Sequence, residues 1–473
     1  MNVLVLERQI QPGGCMQSYK RRGLAFDTGM HYVGGLGEGD SLYAPFKYLG
    51  LMDLPWQRLD PTGFDRVTIG DRSFKYAEGY DAFYETLVKD FPDRSDALSK
   101  YCKVMHDVGS HLYDSLKPRN EVDFFTTSLF STGAYDFLKE TISDNLLMNV
   151  LSGSSLKMEL CKEKLPLYTF AQGNNSFIQS SWRLKGDGML IVDKLVDGIR
   201  RMGGDVICNA GVEELIEKNG RIVAANCANG ETYEADIFIS NAHPAVTCEL
   251  VKHSTKMKKV YRTRMHNLEN TYGMFTLSLS LKPGSLKYFN YNQYIYKEDN
   301  VWDYYMTDGP VSGLLISCRC PESFDERSAD VPDARILDLI TPMPWSQVEK
   351  WENTIIGHRG DEYMEMKERK ADECIRLAEQ FIPGLHTMIE DKYKSTPLTY
   401  RDYTLTPKGS AYGVRKDYNN PMMTLLSPKT PIPNLFLTGQ SLTLHGLLGV
   451  TMSSLFTVAE IIGKEEAWKI TQD

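Results

Sequence analysis

The chain has 473 residues, 42% of them hydrophobic and 24% charged, a composition that folds rather than stays disordered. Its 53 Lys and Arg against 62 Asp and Glu leave a formal charge of −9, which argues against nucleic acid as the main partner because phosphate binding needs a basic footprint. No apolar run reaches the ~20 residues of a membrane-spanning helix, and the length sets a prior of about three domains.

In chain order, residues 3–6 form an apolar run that ends in Glu7-Arg8 and the turn formers Gln11-Pro12-Gly13-Gly14. Such a run predicts a strand buried on both faces, as in a parallel sheet. Residues 21–31 predict a second strand ending in a glycine turn. From Tyr80 to Leu151, spaced apolar residues such as Phe83, Leu87, Leu98 and Val108 predict a helical block punctuated by Pro92 and Pro118. After Gly186-Asp187-Gly188, the positions Met189, Val192, Leu195, Val196 and Ile199 fall at helical spacing, and Gly203-Gly204 supplies the stop. Strands are expected at 206–208, 212–217, 221–226 and 237–240, with Asn219-Gly220 and Asn229-Gly230 as hairpin turns. Antiparallel strands are expected at 273–281 and 313–318, a charged helix at 361–381, and a strand at 435–437 before Thr438-Gly439. Gly446 then opens an apolar helix.

Segments like the surroundings of Glu7 therefore lie at both ends and in the middle. The predicted fold is α/β: one discontinuous dinucleotide-binding, Rossmann-like domain (1–45, 186–265 and 431–473) with an inserted α+β substrate domain (46–185 and 266–430). The nine cysteines are scattered, odd in number and without zinc-ligand spacing, so they read as small core or surface residues of a reduced compartment, and no metal is expected. With no basic-then-apolar leader at the N-terminus, the expected location is cytoplasmic.

An acid ending a buried strand can accept both hydroxyls of a ribose, and strand carboxyl ends line the ligand crevice of such folds. Glu7 is that acid. Gly13-Gly14-Cys15 puts backbone amides, bare of side chains, near the same strand end, where they suit a pyrophosphate. At the far end, Leu437-Thr438-Gly439-Gln440 and His445-Gly446-Leu447 place a helix N-terminus where its dipole would meet an electron-rich ring edge. Taken singly, each of these also reads as an ordinary turn or solvated acid.

Together with Phe26-Asp27-Thr28-Gly29-Met30-His31, Thr396-Pro397-Leu398-Thr399 and Gly409-Ser410-Ala411-Tyr412-Gly413, in that order, they resemble the FAD-dependent phytoene desaturase, carotenoid isomerase and retinol saturase group. The resemblance runs from Val3 to about Val458. It implies FAD, with the adenosine ribose on Glu7 and Arg8 beside it. It further implies Gly13, Gly14 and Cys15 by the pyrophosphate and ribityl region, Val212 passing the adenine, Gly439 and Gln440 at the pyrophosphate–ribityl end, and Gly446 and Leu447 at the isoalloxazine. Many relatives carry an acid where Gln440 stands.

The same resemblance exposes a departure. Only six residues precede Glu7, and no Gly-x-Gly-x-x-Gly occurs anywhere; Gly34-Gly35-Leu36-Gly37-Glu38-Gly39 lacks the spacing. The expectation is a start assigned too far downstream or a truncated chain, since a βαβ unit takes roughly 30 residues. As it stands the chain is expected to bind FAD weakly or not at all.

His31, His445 and Tyr412 are the catalytic candidates, because imidazole titrates near neutrality and all three lie by the expected cofactor turns; each also reads as a hydrogen-bonded structural residue. The implied activity is oxidoreduction at C–C or C=C bonds of a lipophilic polyene: saturation, desaturation or isomerisation. Alternatives are an FAD amine oxidase or protoporphyrinogen oxidase-like enzyme, and a cofactor-free remnant with a binding role. NAD(P)H enters as a possible electron donor, and a peripheral membrane contact as the route for an apolar substrate.

Overall fold

The computed structural model describes residues 1–117, 128–306 and 309–472. Pro118 and part of the expected helical block lie outside the described residues.

Strands whose residues are buried without alternation belong inside a sheet covered on both faces, and Gly273–Leu281 and Ile336–Met343 are buried throughout. They lie second and third in a seven-stranded sheet ordered Ile389–Ser395, Gly273–Leu281, Ile336–Met343, Gly313–Cys318, Asn292–Tyr296, Asp65–Ile69, Arg72–Tyr76. Neighbours run antiparallel except for Asn292–Tyr296 against Asp65–Ile69. The two strands expected from sequence at 273–281 and 313–318 are both antiparallel members. They are not partners, because Ile336–Met343 lies between them.

Successive residues of a strand face opposite sides. Phe275, Leu277 and Leu279 accordingly join one core with Leu314, Ile316, Leu337, Leu339 and helix Asp361–Ala378. Met274, Tyr294, Tyr296, Leu315 and Ile340 join another, beneath helices Tyr80–Asp90, Ser95–Gly109, Ala134–Ile142, Asn145–Ser152 and Leu167–Gln179.

The dinucleotide half is built of shorter pieces. Leu4–Leu6 pairs in parallel with Asp205–Ile207, and Phe238–Ser240 in parallel with Leu435–Leu437. Val212–Lys218, Arg221–Cys227 and Thr232–Glu234 form an antiparallel meander through the two expected Asn-Gly turns. Asn219 and Gly220 both have positive φ (53° and 78°), the geometry that matches a hairpin's twist. Residues 21–31 do not form one strand but the end of a hairpin, Ser18–Arg21 with Leu24–Asp27, turned at Arg22-Gly23.

The strand at the N-terminus corrects the expectation of burial on both faces: Leu4 is 43% and Val5 37% exposed. The reason is pairing. Asp205–Ile207 is its one strand partner among the described residues. Ile239, on Phe238–Ser240, is likewise exposed.

Candidate functional site

At the first strand's end the Glu7 amide donates to Ile207 O (2.8 Å) and its carbonyl accepts from the Ala210 amide (2.8 Å), which fixes the residue beside the start of the meander at Val212. Glu7 Oε1 accepts from the Gln9 amide at 2.7 Å; Oε2 has no hydrogen-bond partner among the described residues. Arg8 is committed elsewhere. Its Nη2 donates to Asp402 O (3.0 Å) and Tyr403 O (2.8 Å), tying this corner to helix Pro397–Thr404.

Gly13 and Gly14 have φ of +117° and +54°, and around Gly14 a Cβ would find nothing within 4 Å, so its backbone lies open. Cys15 is exposed, and the protein atoms crowded around it push its thiol pKa up. Thr28 Oγ1 donates to Cys15 O at 3.0 Å, and a Cβ on Gly29 would fall 2.8 Å from the same oxygen, so the Asp-Thr-Gly turn packs against the glycine pair.

The C-terminal residues converge on the same apolar cluster as the first strand. Leu6 and Val212 pack on one apolar cluster with Leu435, Leu437 and Leu442, which brings the Glu7 corner and the Gly439 turn to one core. A Cβ on Gly439 would meet Asn241 Oδ1 at 2.2 Å, and one on Gly413 would meet Ser441 Oγ at 2.6 Å and Gln440 Cγ at 3.3 Å. Lys416 Nζ donates to Thr424 O, Ser441 O and Leu442 O (3.0, 2.8 and 3.0 Å) and pins that turn from beneath. Burial pulls its pKa down to about 7, while three carbonyls, which together need an ammonium's three protons, hold it charged. Gly446, at φ +69° and with open space at its Cβ, begins helix Gly446–Ile462, with the half-buried Leu447 next to it.

His445 caps that helix and lies against Tyr412, ring centroids 4.5 Å apart. His445 Nε2 donates to Lys157 O (3.0 Å) and Tyr412 Oη to Leu156 O (2.5 Å). Burial lowers the imidazole pKa to about 4 and raises the phenol's. At neutral pH, then, both groups are uncharged and their protons are spent on carbonyls. The pair can orient a ligand; it is not poised to give up a proton.

His31 sits in a different setting. Its Nδ1 has no hydrogen-bond partner among the described residues and lies 3.6 Å from Asp338 Oδ2, in a small polar cavity also lined by Asp27, Arg183 and Arg319. Asp27 pairs with Arg319 (2.6 Å) and accepts from the Gly188 amide (2.8 Å), yet desolvation outweighs both and raises its pKa to about 6.

Lys157, absent from the sequence candidates, is a half-buried cation beside His445 and Tyr412, whose side chains bond the carbonyls of Lys157 and Leu156. Its Nζ donates to Ser154 Oγ (3.1 Å) and stands 4.1 Å over the Phe177 ring, whose other neighbour is Tyr32, 4.4 Å between centroids. Tyr32 Oη donates to the buried Asp65 (3.0 Å) and meets Tyr294 Oη (2.6 Å). Burial lowers the lysine's pKa to about 8, against the opposing field of Asp65. The signal in the sequence was a lone cation inside the apolar stretch Leu156-Lys157-Met158. Among the described residues, no group of three or more His, Cys, Asp or Glu could hold a metal ion.

The strand-end acid and the C-terminal glycine turn meet on one apolar cluster of a mixed α/β fold. The chain belongs to the flavin-containing amine oxidoreductase family, whose description, "Flavin containing amine oxidoreductase", matches residues 1–272, and it is an FAD-dependent oxidoreductase. It is similar to all-trans-retinol 13,14-reductase of Rattus norvegicus, 24% identical over 97% of this chain and 81% of that one. It is also similar to prolycopene isomerase 2 of an Oncidium hybrid cultivar, 24% identical over 93% and 76%. Among solved structures, an oxidoreductase of Methanosarcina mazei matches with a TM-score of 0.59 at 14% identity, over 96% of this chain and 93% of that one. Cyclohexylamine oxidase of Brevibacterium oxydans matches at 0.58 and 12%, over 99% and 92%. At these identities the structures report the fold.

The free Glu7 oxygen and the open backbone at Gly14 and Gly446 are groups that could hold the ribose, the pyrophosphate and the ring end of FAD.

Proposed function

We propose that the protein acts on the C–C or C=C bonds of a lipophilic polyene, retinoid- or carotenoid-like, by saturation, desaturation or isomerisation. What carries the reading is similarity over nearly the whole chain to relatives named for a retinol reductase and a prolycopene isomerase. The aromatic side chains of Tyr32, Phe177, Tyr400 and Tyr412, half-buried against the larger core, agree with a greasy substrate.

In this reading Glu7 holds the adenosine ribose and Val212 passes the adenine. Gly13, Gly14 and Cys15 flank the pyrophosphate with Gly439 and Gln440, and Gly446 and Leu447 meet the isoalloxazine. Arg8 acts as a tether to helix Pro397–Thr404 rather than as a ligand. FAD, when bound, supplies two-electron hydride chemistry. Saturation adds a hydride at one carbon and a proton at its neighbour, and we assign that proton to Lys157; a pKa near the working pH suits a general acid. His445 and Tyr412 orient the substrate. Segments 1–45, 186–265 and 431–473 form the cofactor domain, and 46–185 with 266–430 the substrate domain. A reduced nicotinamide nucleotide is the electron donor for a saturation, and the substrate arrives through a peripheral membrane contact. No described helix is long and apolar enough to cross a membrane.

The test is to incubate FAD-loaded protein with all-trans-retinol or prolycopene, with and without NADPH, and separate the products by chromatography. A saturated, desaturated or isomerised polyene is expected. Unchanged polyenes, with peroxide released from an amine, would replace this reading by an amine oxidase.

A further inference from the structure

We propose that the basic surface at residues 252–266 docks on an anionic phospholipid bilayer, an assignment that rests on the membrane contact of the preceding reading. Lys252, Lys256, Lys258, Lys259, Arg262 and Arg264 fall within 13 residues that contain no Asp or Glu, in a chain whose overall charge is −9. The structure puts most of these cations on the surface. Lys258 and Lys259, at the start of helix Lys259–His266, are exposed and have no ion-pair partner among the described residues.

Two arginines build the platform instead of presenting charge. The Arg262 guanidinium donates to the carbonyls of Cys248, Val251 and Met257, locking the preceding loop to the helix. Arg264 Nη2 donates to Met422 O (3.0 Å) and Met423 O (3.1 Å), which fastens the short helix Pro421–Thr424 alongside. Val260 lies one helical turn before Arg264, on the same face. Val260, Met422 and Met423 therefore share one surface, at 75%, 85% and 49% exposure.

The nearby acids are already engaged. Glu217 accepts from Ser254 Oγ, from the Thr255 amide (3.0 Å) and from Thr255 Oγ1 (2.9 Å), and Glu214 lies 3.6 Å from Lys252 Nζ. Glu249 is 3.9 Å from His266 Nδ1. A broad concavity lined by Glu217, Lys252, His253, Thr255, Lys256 and Arg262 holds three cationic side chains against that one hydrogen-bonded acid, a balance that suits a lipid phosphate. Cations alone would serve any polyanion. Valine and methionine side chains standing among lysines gain free energy only where an apolar layer lies just beneath the phosphates, as in a bilayer.

Flotation of the FAD-loaded protein with vesicles of phosphatidylcholine alone, or of four parts phosphatidylcholine to one of phosphatidylserine, tests this. Binding is expected on the phosphatidylserine vesicles only, and it should be released by molar salt, which shortens the screening length to about 3 Å. Lys258→Gln with Lys259→Gln should weaken partitioning roughly thirty-fold, about five-fold per lysine, and Val260→Asp with Met422→Asp should weaken it at low salt. Ile355→Asp with Ile356→Asp, on a separate loop whose isoleucines are also exposed, should bind as the wild type does. Unchanged binding in the lysine variant, or loss in the isoleucine variant, overturns the assigned face while leaving the membrane contact standing. Wild-type protein that ignores both vesicles overturns both, and heparin binding without vesicle binding reassigns the face to an acidic polymer. In every case the flavin spectrum of the same sample reports separately on the cofactor.

Discussion

The seven-stranded sheet and the dinucleotide half solve the problem of strand burial in opposite ways. In the sheet, Leu339 lies opposite Leu277 on one side and Ile316 on the other and is fully buried. In the dinucleotide half, Leu4 has Asp205 as its one strand partner among the described residues and stands 43% exposed. The sheet's stability is internal. The dinucleotide half keeps its polar strand ends and open glycines for a ligand, and FAD contributes to its stability by mass action.

The largest expected effect sharpens this contrast at the chemistry. Lys157→Met should lower polyene turnover by roughly 10²–10⁴-fold, the range for a general acid, and remove the pH dependence near 8. Its FAD affinity should be untouched, since the lysine belongs to the sheet side; weakened FAD binding would break the division of labour. Steady-state rates from pH 6 to 10 and an FAD titration decide.

Packing comes next. Leu339→Ala should cost about 2–5 kcal/mol of unfolding free energy, by lost burial plus a cavity. Leu4→Ala should cost within about 0.5 kcal/mol, as an exposed position does. Equal costs in urea titrations would show that the two regions are not built differently.

A smaller effect belongs to the joint between the halves. Burial lowers His445 from 6.5 to about 4, so between those values the unfolded chain binds more protons. The stability tied to the neutral imidazole is complete above pH 6.5 and lost as pH falls toward 4. His243, lowered to about 4 by burial, acts in the same sense; Asp27, raised to about 6, acts in the opposite sense. His445→Asn should shrink the acid destabilisation between pH 7 and 4 by at most about 3 kcal/mol, measured by urea unfolding.

Much of the fold was legible wherever one local rule decided the outcome. The Asn-Gly pairs fixed the meander, and helix Met189–Arg201 followed from its spacing. Strand pairing was not legible, because it depends on distant partners. Nothing local says that Ile336–Met343 separates two other strands, or that the apolar run at 3–6 has one neighbour and not two. In the site, residue types pointed to the histidines and Tyr412. Our proposal gives the proton to Lys157 because burial and carbonyl partners, invisible in a string of letters, carry His445 and Tyr412 away from neutrality.

The most direct measurement is FAD binding to wild-type protein and to Glu7→Gln, followed by flavin fluorescence. A carboxylate hydrogen bond to ribose is worth about 1.5–3 kcal/mol, so saturable one-to-one binding that weakens roughly tenfold to a hundredfold in the variant, with unfolding midpoints alike without FAD, is the predicted result. No saturable binding, or equal affinity in the two proteins, would contradict a cofactor held between Glu7 and Gly446.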